Sequence, residues 1–214
     1  MARNTAREAT RLLADDGPVT AVHGMGVFVR KSQRLLQFGS ERYSNRLREE
    51  TRLSPYRAEV AKQGRTARVD CTSITRVPPP EQIASRLNLD PETDTVARRE
   101  NWYYADDDPV QVGVTSIQWH IADGSVLATS AQIGKGSLYA RFEDRGHRIT
   151  PIREEVSARM PSPEETEELR IPDGVPVLEV VHTGIDQNNE PFEVTHFVRR
   201  ADFNGLDYIK PVED

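Results

Sequence analysis

The sequence predicts an α+β protein whose main body is an antiparallel sheet, preceded by a short helix and hairpin of different character. Three observations carry this. From residue 66 onward, segments alternating apolar and polar residues recur and are joined by short turn-forming runs, the mark of hairpins. Only about three helical segments interrupt some six strands, so hairpins dominate. The charge also divides: residues 1–69 carry 14 Lys and Arg against 7 Asp and Glu, whereas the remainder carries 14 against 27.

Taken in order, "RNTAREATRLLAD" places Ala6, Ala9, Leu12 and Leu13 on one helical side, with Arg3, Asn4, Arg7 and Arg11 mostly on the other. Gly17-Pro18 ends it, because Pro cannot continue a helix. "VTAVHGMGVFV" then reads as two β-branched arms around a His-Gly-x-Gly turn. Residues 31–54 are polar and Arg-rich with little periodicity, and read as a linker; "PYRAEVAKQG" adds a turn or two of helix. "TARVDCTSITRV" alternates as a strand up to three prolines, and "PEQIASRLNL" follows as a helix with Pro80 near its first turn. "DTVARRENWYYADDDPVQVGVTSIQW" is two β arms about Asp106–Asp108, and "GKGSLYARFEDRG" is a helix bounded by glycines. "RITPIREEVSARM" is a further strand, and "PSPEETEEL" starts a helix with Ser162 as cap and acids in the first turn. Two last strands flank Gln187–Asn189, and the tail "LDYIKPV" has pairing potential.

Composition sets the bounds. A single cysteine, Cys71, excludes an intrachain disulfide framework and a CxxC metal pair. With no apolar run long enough to cross a bilayer and no basic-then-apolar leader, the expectation is a cytoplasmic protein without a membrane partner. A basic first third on an acidic body points to a nucleic-acid-facing end, the alternative being a solvated basic linker. The five histidines share no metal-ligand spacing; His182 and His196 are placed to oppose each other across the last hairpin, where ordinary packing is the simpler reading. Gly134–Ser137 lacks the full P-loop pattern, and no nucleophile–base pair stands out. No cofactor and no metal are expected.

"RNTAREA", "LLADDG" and "VHGMGVFV" together resemble the recognition helix and wing of winged helix-turn-helix regulators of the GntR family, in which that helix runs Ser-Arg-x-Thr-x-Arg-x-Ala. The resemblance implies double-stranded operator DNA as partner, met by Arg3, Asn4, Thr5 and Arg7 on the helix and by His23, Gly24 and Gly26 on the wing. The chemistry agrees: Arg3 and Arg7 lie four apart and can fork toward guanine edges, while glycines let a backbone approach a phosphate. The family's first two helices would precede Met1, so the expected unit at residues 1–30 is a partial winged helix, through a trimmed chain or a misplaced start.

Residues 55–214 resemble the UTRA effector-binding domain of HutC-type GntR regulators, whose fold is like that of chorismate lyase. The carriers are "LNLDPETDTVARRENWYYADDDPVQVGVTSIQ", "GKGSLYARFEDRGHRI", "MPSPEETEELRIPDGVPVLEVV" and "GIDQNNEPFEVTHFVRRADF", in that order. Members that bind phosphosugars grip the phosphate with two Arg on the strand before the acidic turn; those positions are Asn101 and Tyr103 here, and neither supplies a cationic fork. Arg99 lies on the same strand face. Ser137 and Tyr139 match positions near the ligand at a helix N-terminus, Glu193 matches an acidic ligand contact, Arg199 stands where a Tyr is usual, and Gly113 where an acid is. With Thr115, the expected effector set is Arg99, Asn101, Tyr103, Thr115, Ser137, Tyr139, Glu193 and Arg199. The resemblance implies a homodimeric regulator, a repressor, controlled by a small-molecule effector. Two alternatives stay open at this point: a chorismate-lyase-like enzyme, and a ligand-binding module that no longer binds DNA.

Overall fold

The computed structural model describes residues 3–15, 19–22, 24–29, 35–38, 51, 53–134 and 136–208. Helix α1 (Arg3–Asp15) leads into the hairpin of β1 (Val19–Val22) and β2 (Gly26–Val29), paired antiparallel with Val19 opposite Val29. The turn residue Gly24 and the first strand residue Gly26 both have positive φ, 77° and 114°, a backbone that side chains with a Cβ rarely adopt. Strand β3 (Leu35–Phe38) follows within the segment expected to be a linker. It pairs in parallel with β10 (Asn204–Asp207), and Leu35 is buried with Tyr56, Val60, Ala105 and Val110. The sequence pattern did not announce this strand, because four residues are too few to show a period and only a partner strand remote in sequence gives "LLQF" its structure.

Helix α2 (Pro55–Lys62) starts at Ser54, whose hydroxyl accepts from the Arg57 amide, with Pro55 in the first turn where its missing N–H costs nothing. The body is one six-stranded sheet of β4 (Ala67–Val77), β5 (Val96–Ala105), β6 (Asp108–Gln118), β7 (Ile149–Arg159), β8 (Val177–Asp186) and β9 (Pro191–Arg200). Its order is β4-β5-β6-β9-β8-β7, antiparallel at every pairing. The expected α+β class and hairpins are therefore present. The β5–β6 turn places Asp106 at φ 56°, and its carboxylate is tied to the Arg65 guanidinium (2.8 Å) and the Thr66 amide (2.9 Å).

Helix α3 (Glu81–Leu87) lies on one face, where Leu87 packs with Val96 and Val194. On that same face α7 (Pro163–Glu168) leads into Leu169, Ile171 and Val175, which pack on Val177 and Val198. A capping box opens α7, Ser162 accepting from the Glu165 amide while Glu165 accepts from the Ser162 amide. The other face carries two short helices the sequence pattern did not announce, α4 (Trp119–Ala122) and α5 (Val126–Thr129), and α6 (Ser137–Asp144). There Phe142 meets the Phe192 ring edge-on at 4.9 Å, within a core that also holds Ile117, Ile121 and Leu127.

Candidate functional site

Period-two alternation decides what the second face presents. On β5 it directs Asn101 and Tyr103 to one side, on β6 Gln111 and Thr115, on β9 Glu193, Thr195 and Phe197, and on β8 His182. These eight residues line a cavity of about 540 Å³, walled also by Tyr56 from α2, Cys71 and Val69 from β4, and Tyr139, Leu138 and Phe142 from α6. Such a volume suits a small metabolite. Aromatic walls are built edge-on: Tyr103 stands 5.1 Å from Tyr56 and 6.0 Å from Phe197.

The floor is polar and connected. Thr115 and Thr195 hydroxyls lie 2.9 Å apart, and Thr195 donates to Glu193 at 3.0 Å. His182 Nε2 is 3.0 Å from Glu193 Oε1, and His182 Nδ1 is 3.3 Å from Glu154 Oε1. Burial alone would push the His182 imidazolium pKa down, but the carboxylates of Glu193 and Glu154 outweigh it and hold the value above the ordinary one. Two buried polar atoms on the cavity lining, Tyr56 Oη and Asn101 Nδ2, have no hydrogen-bond partner among the described residues. An unmet buried donor costs about 1–3 kcal/mol, so both groups favour occupancy by a molecule that satisfies them.

Of the expected effector set, the cavity brings together Asn101, Tyr103, Thr115, Tyr139 and Glu193. The Ser137 side chain lies outside the described residues. Two expectations are corrected. Arg99 points its guanidinium into the α5 segment instead, donating to the carbonyls of Val126 (3.3 Å), Leu127 (2.5 Å) and Ser130 (2.9 Å). A buried guanidinium needs several acceptors, and the end of a short helix offers carbonyl lone pairs. Arg199 is fully buried with its guanidinium carbon 4.5 Å from the Phe197 ring centre, behind the cavity wall and not on it. Nor do the two histidines meet: His182 pairs with Thr195 and His196 with Val181, on opposite faces, with His196 Nε2 3.3 Å from Glu179.

Sequence reasoning missed Tyr56, Gln111, His182, Thr195 and Phe197. Four of these had a signal, since they continue the period-two series through Thr115 and Glu193 or stand opposite it in the last hairpin. Tyr56 had none, because its helix reaches the cavity only through tertiary packing. At Gly113, a Cβ would stand 2.7 Å from the Phe197 ring, so the aromatic wall occupies the space that an acid would need.

At the other end of the chain, Asn4, Thr5 and Arg7 are exposed on α1, and Gly24 and Gly26 are exposed in the hairpin. The Arg3 side chain and His23 lie outside the described residues. Leu12, Leu13, Met25 and Phe28 are also exposed. Among the described residues, no helix is long and apolar enough to cross a membrane, and no group of three or more His, Cys, Asp or Glu is placed to hold a metal ion.

Comparison with known proteins agrees with this geometry. A family model described as the UTRA domain matches residues 62–203. An uncharacterized HTH-type transcriptional regulator of Streptomyces coelicolor, SCO4628, is 25% identical over 185 residues, covering 85% of this chain and 68% of that protein. Among solved structures, PhnF from Mycobacterium smegmatis is similar over 100% of this chain and 87% of its own, with a TM-score of 0.70 at 20% identity. A GntR-family transcriptional regulator from Enterococcus faecalis is similar over 69% of this chain and 100% of its own, with a TM-score of 0.53 at 25% identity.

Proposed function

The chain belongs to the UTRA domain family, and from that premise we propose that it is a transcriptional regulator of the GntR type, of the HutC-like subgroup, and not an enzyme. Residues 1–30 form the DNA-reading head, residues 31–54 connect it, and residues 55–214 bind a small-molecule effector in the cavity above β5, β6, β9 and β8. The observation that carries the reading is the pairing of that cavity, with its two unmet buried polar groups, and an exposed basic helix and glycine hairpin in one chain.

On this reading Asn4, Thr5 and Arg7 of α1, with Arg3, meet base edges, and the hairpin with His23, Gly24 and Gly26 meets phosphates. Two copies act as a homodimer, because a palindromic operator presents two half-sites. The β3–β10 pairing ties the connecting segment to the strand that follows β9, so a shift of the sheet around a ligand has a mechanical route toward the head. Repression follows if operator and effector favour different arrangements of the dimer, each lowering the other's affinity by the same factor.

The test has two parts. Duplexes are selected from random sequence by the protein, and binding is followed against salt. Metabolite fractions that raise the melting temperature of the protein are then added. The reading expects steep salt dependence and release of the duplex by a stabilising fraction. Salt-independent binding, or stabilising fractions that leave the duplex bound, would overturn it.

A further inference from the structure

The polar floor of the cavity has a fixed direction of hydrogen bonding. Glu193 Oε2 accepts from Thr195 Oγ1 at 3.0 Å, since a carboxylate has no proton to give. Thr195 has thereby used its one proton, so in the 2.9 Å contact between the two hydroxyls Thr115 is the donor. Both hydroxyl protons run toward Glu193, and what the floor offers a ligand is oxygen lone pairs.

Glu193 is also held in place. It faces Gly184 directly across the β8–β9 pair, and a Cβ at Gly184 would stand 2.8 Å from Glu193 Oε1, so the carboxylate rests on bare backbone. His182 lies between it and Glu154, and Glu154 accepts in turn from the Tyr208 hydroxyl at 2.6 Å. An imidazole facing a carboxylate at each nitrogen satisfies both only when both nitrogens carry protons. The titratable groups facing it are Glu193 from β9, Glu154 from β7 and, through Glu154, Tyr208 beyond β10; Thr115 and Gln111 from β6 are uncharged.

The remaining lining has the opposite demand. Asn101 Nδ2 can only donate, Tyr56 Oη can donate, and both are buried without a partner among the described residues. We propose that the cavity takes a bifunctional small molecule that presents N–H or O–H donors to the Glu193–Thr115 floor and an acceptor oxygen to Asn101 and Tyr56, with His182 as the residue positioning Glu193. The donor end is an amine, amide or hydroxyl. A phosphate or carboxylate at that end would face a carboxylate and two acceptor oxygens.

This rests on the cavity being the effector site, and its test uses no DNA. Nitrogen-15 NMR of the histidine rings in the full chain reads the state of His182: both ring nitrogens protonated at pH values where a free histidine is neutral, and a neutral tautomer in Glu193→Gln. Ethanolamine, with an ammonium donor at one end and an oxygen at the other, and acetate, of similar size but with acceptor oxygens only, are then titrated beside inorganic phosphate. Shifts are followed at the His182 ring and the Asn101 amide. The expected result is that ethanolamine moves both signals and that neither anion moves the His182 ring. Glu193→Gln weakens the ethanolamine response about tenfold, as expected for loss of one charge-assisted hydrogen bond, while Thr195→Ser retains it. A neutral His182, an anion moving the His182 ring as strongly as ethanolamine, or no probe moving the signals overturns the proposal. Amine selectivity without any operator response would count against the regulator reading alone.

Discussion

Replacing His182 with alanine removes the cation held between Glu193 and Glu154. The His182 and Glu193 side chains are each 3% exposed and that of Glu154 is 11% exposed, so little solvent screens the charges left behind. Removing one partner of a buried ion pair costs about 3–5 kcal/mol, and water entering the vacated imidazole volume offsets part of this, so a loss of about 3 kcal/mol at neutral pH is expected. Against the ~5–15 kcal/mol that typically holds a domain, such a loss is plainly measurable. The sign with pH follows from the raised His182 pKa. Its contribution is full below the ordinary histidine value of about 6.5 and is lost as pH rises through the higher folded-state value. The variant lacks that contribution, so its deficit is full at and below the ordinary histidine value and narrows as pH rises through the folded-state value. Urea unfolding followed by the fluorescence of Trp102 and Trp119 measures both quantities. In a cycle, His182→Leu with Glu193→Leu should cost less than the two single changes added together, because the pair then leaves no unmatched charge between them. A loss under about 1 kcal/mol, flat with pH and additive in the cycle, would refute the ion-pair reasoning.

Gly113→Ala drives a methyl to 2.7 Å from the Phe197 ring and should destabilise by about 1–3 kcal/mol, read from the urea midpoint. Ser162→Ala removes half of the capping box of α7 and should cost ~1 kcal/mol by the same measurement, with Ser162→Gly costing less. Burial raises the Asp186 carboxyl pKa, but hydrogen bonds from the Glu190 and Asn188 amides and from His147 outweigh it and leave the value below the ordinary one. The stability this supplies is present above the ordinary carboxylate value and is lost as pH falls through the depressed one, so Asp186→Asn should flatten the acid limb of the melting temperature against pH.

The strands, their hairpins and the helix caps were legible because each is written in local spacing: alternation from Thr66 to Val77, three aspartates between two β arms, Ser162 three residues before Glu165. Half of the cavity was legible for the same reason, since fixing Thr115 and Glu193 on one face fixes Thr195 and Phe197 beside them. What was not legible depends on partners distant in the chain. Leu35 becomes strand only through Asn204, and Tyr56 reaches Tyr103 only because α2 folds over the sheet. Arg99 shows the limit of face arguments. Its position on the strand is the expected one, yet its long side chain travels past the cavity to carbonyls at residues 126, 127 and 130.

On the proposed function, occupancy of this cavity is linked to DNA binding, and linkage is reciprocal. The direct measurement is fluorescence anisotropy of a selected duplex with and without the molecule that stabilises the protein, paired with calorimetry of that molecule with and without the duplex. The expected result is the same factor in both directions, and loss of both effects in Thr115→Trp, which fills the cavity. A molecule that binds equally well with DNA present and absent, or a duplex response that survives Thr115→Trp, would contradict it.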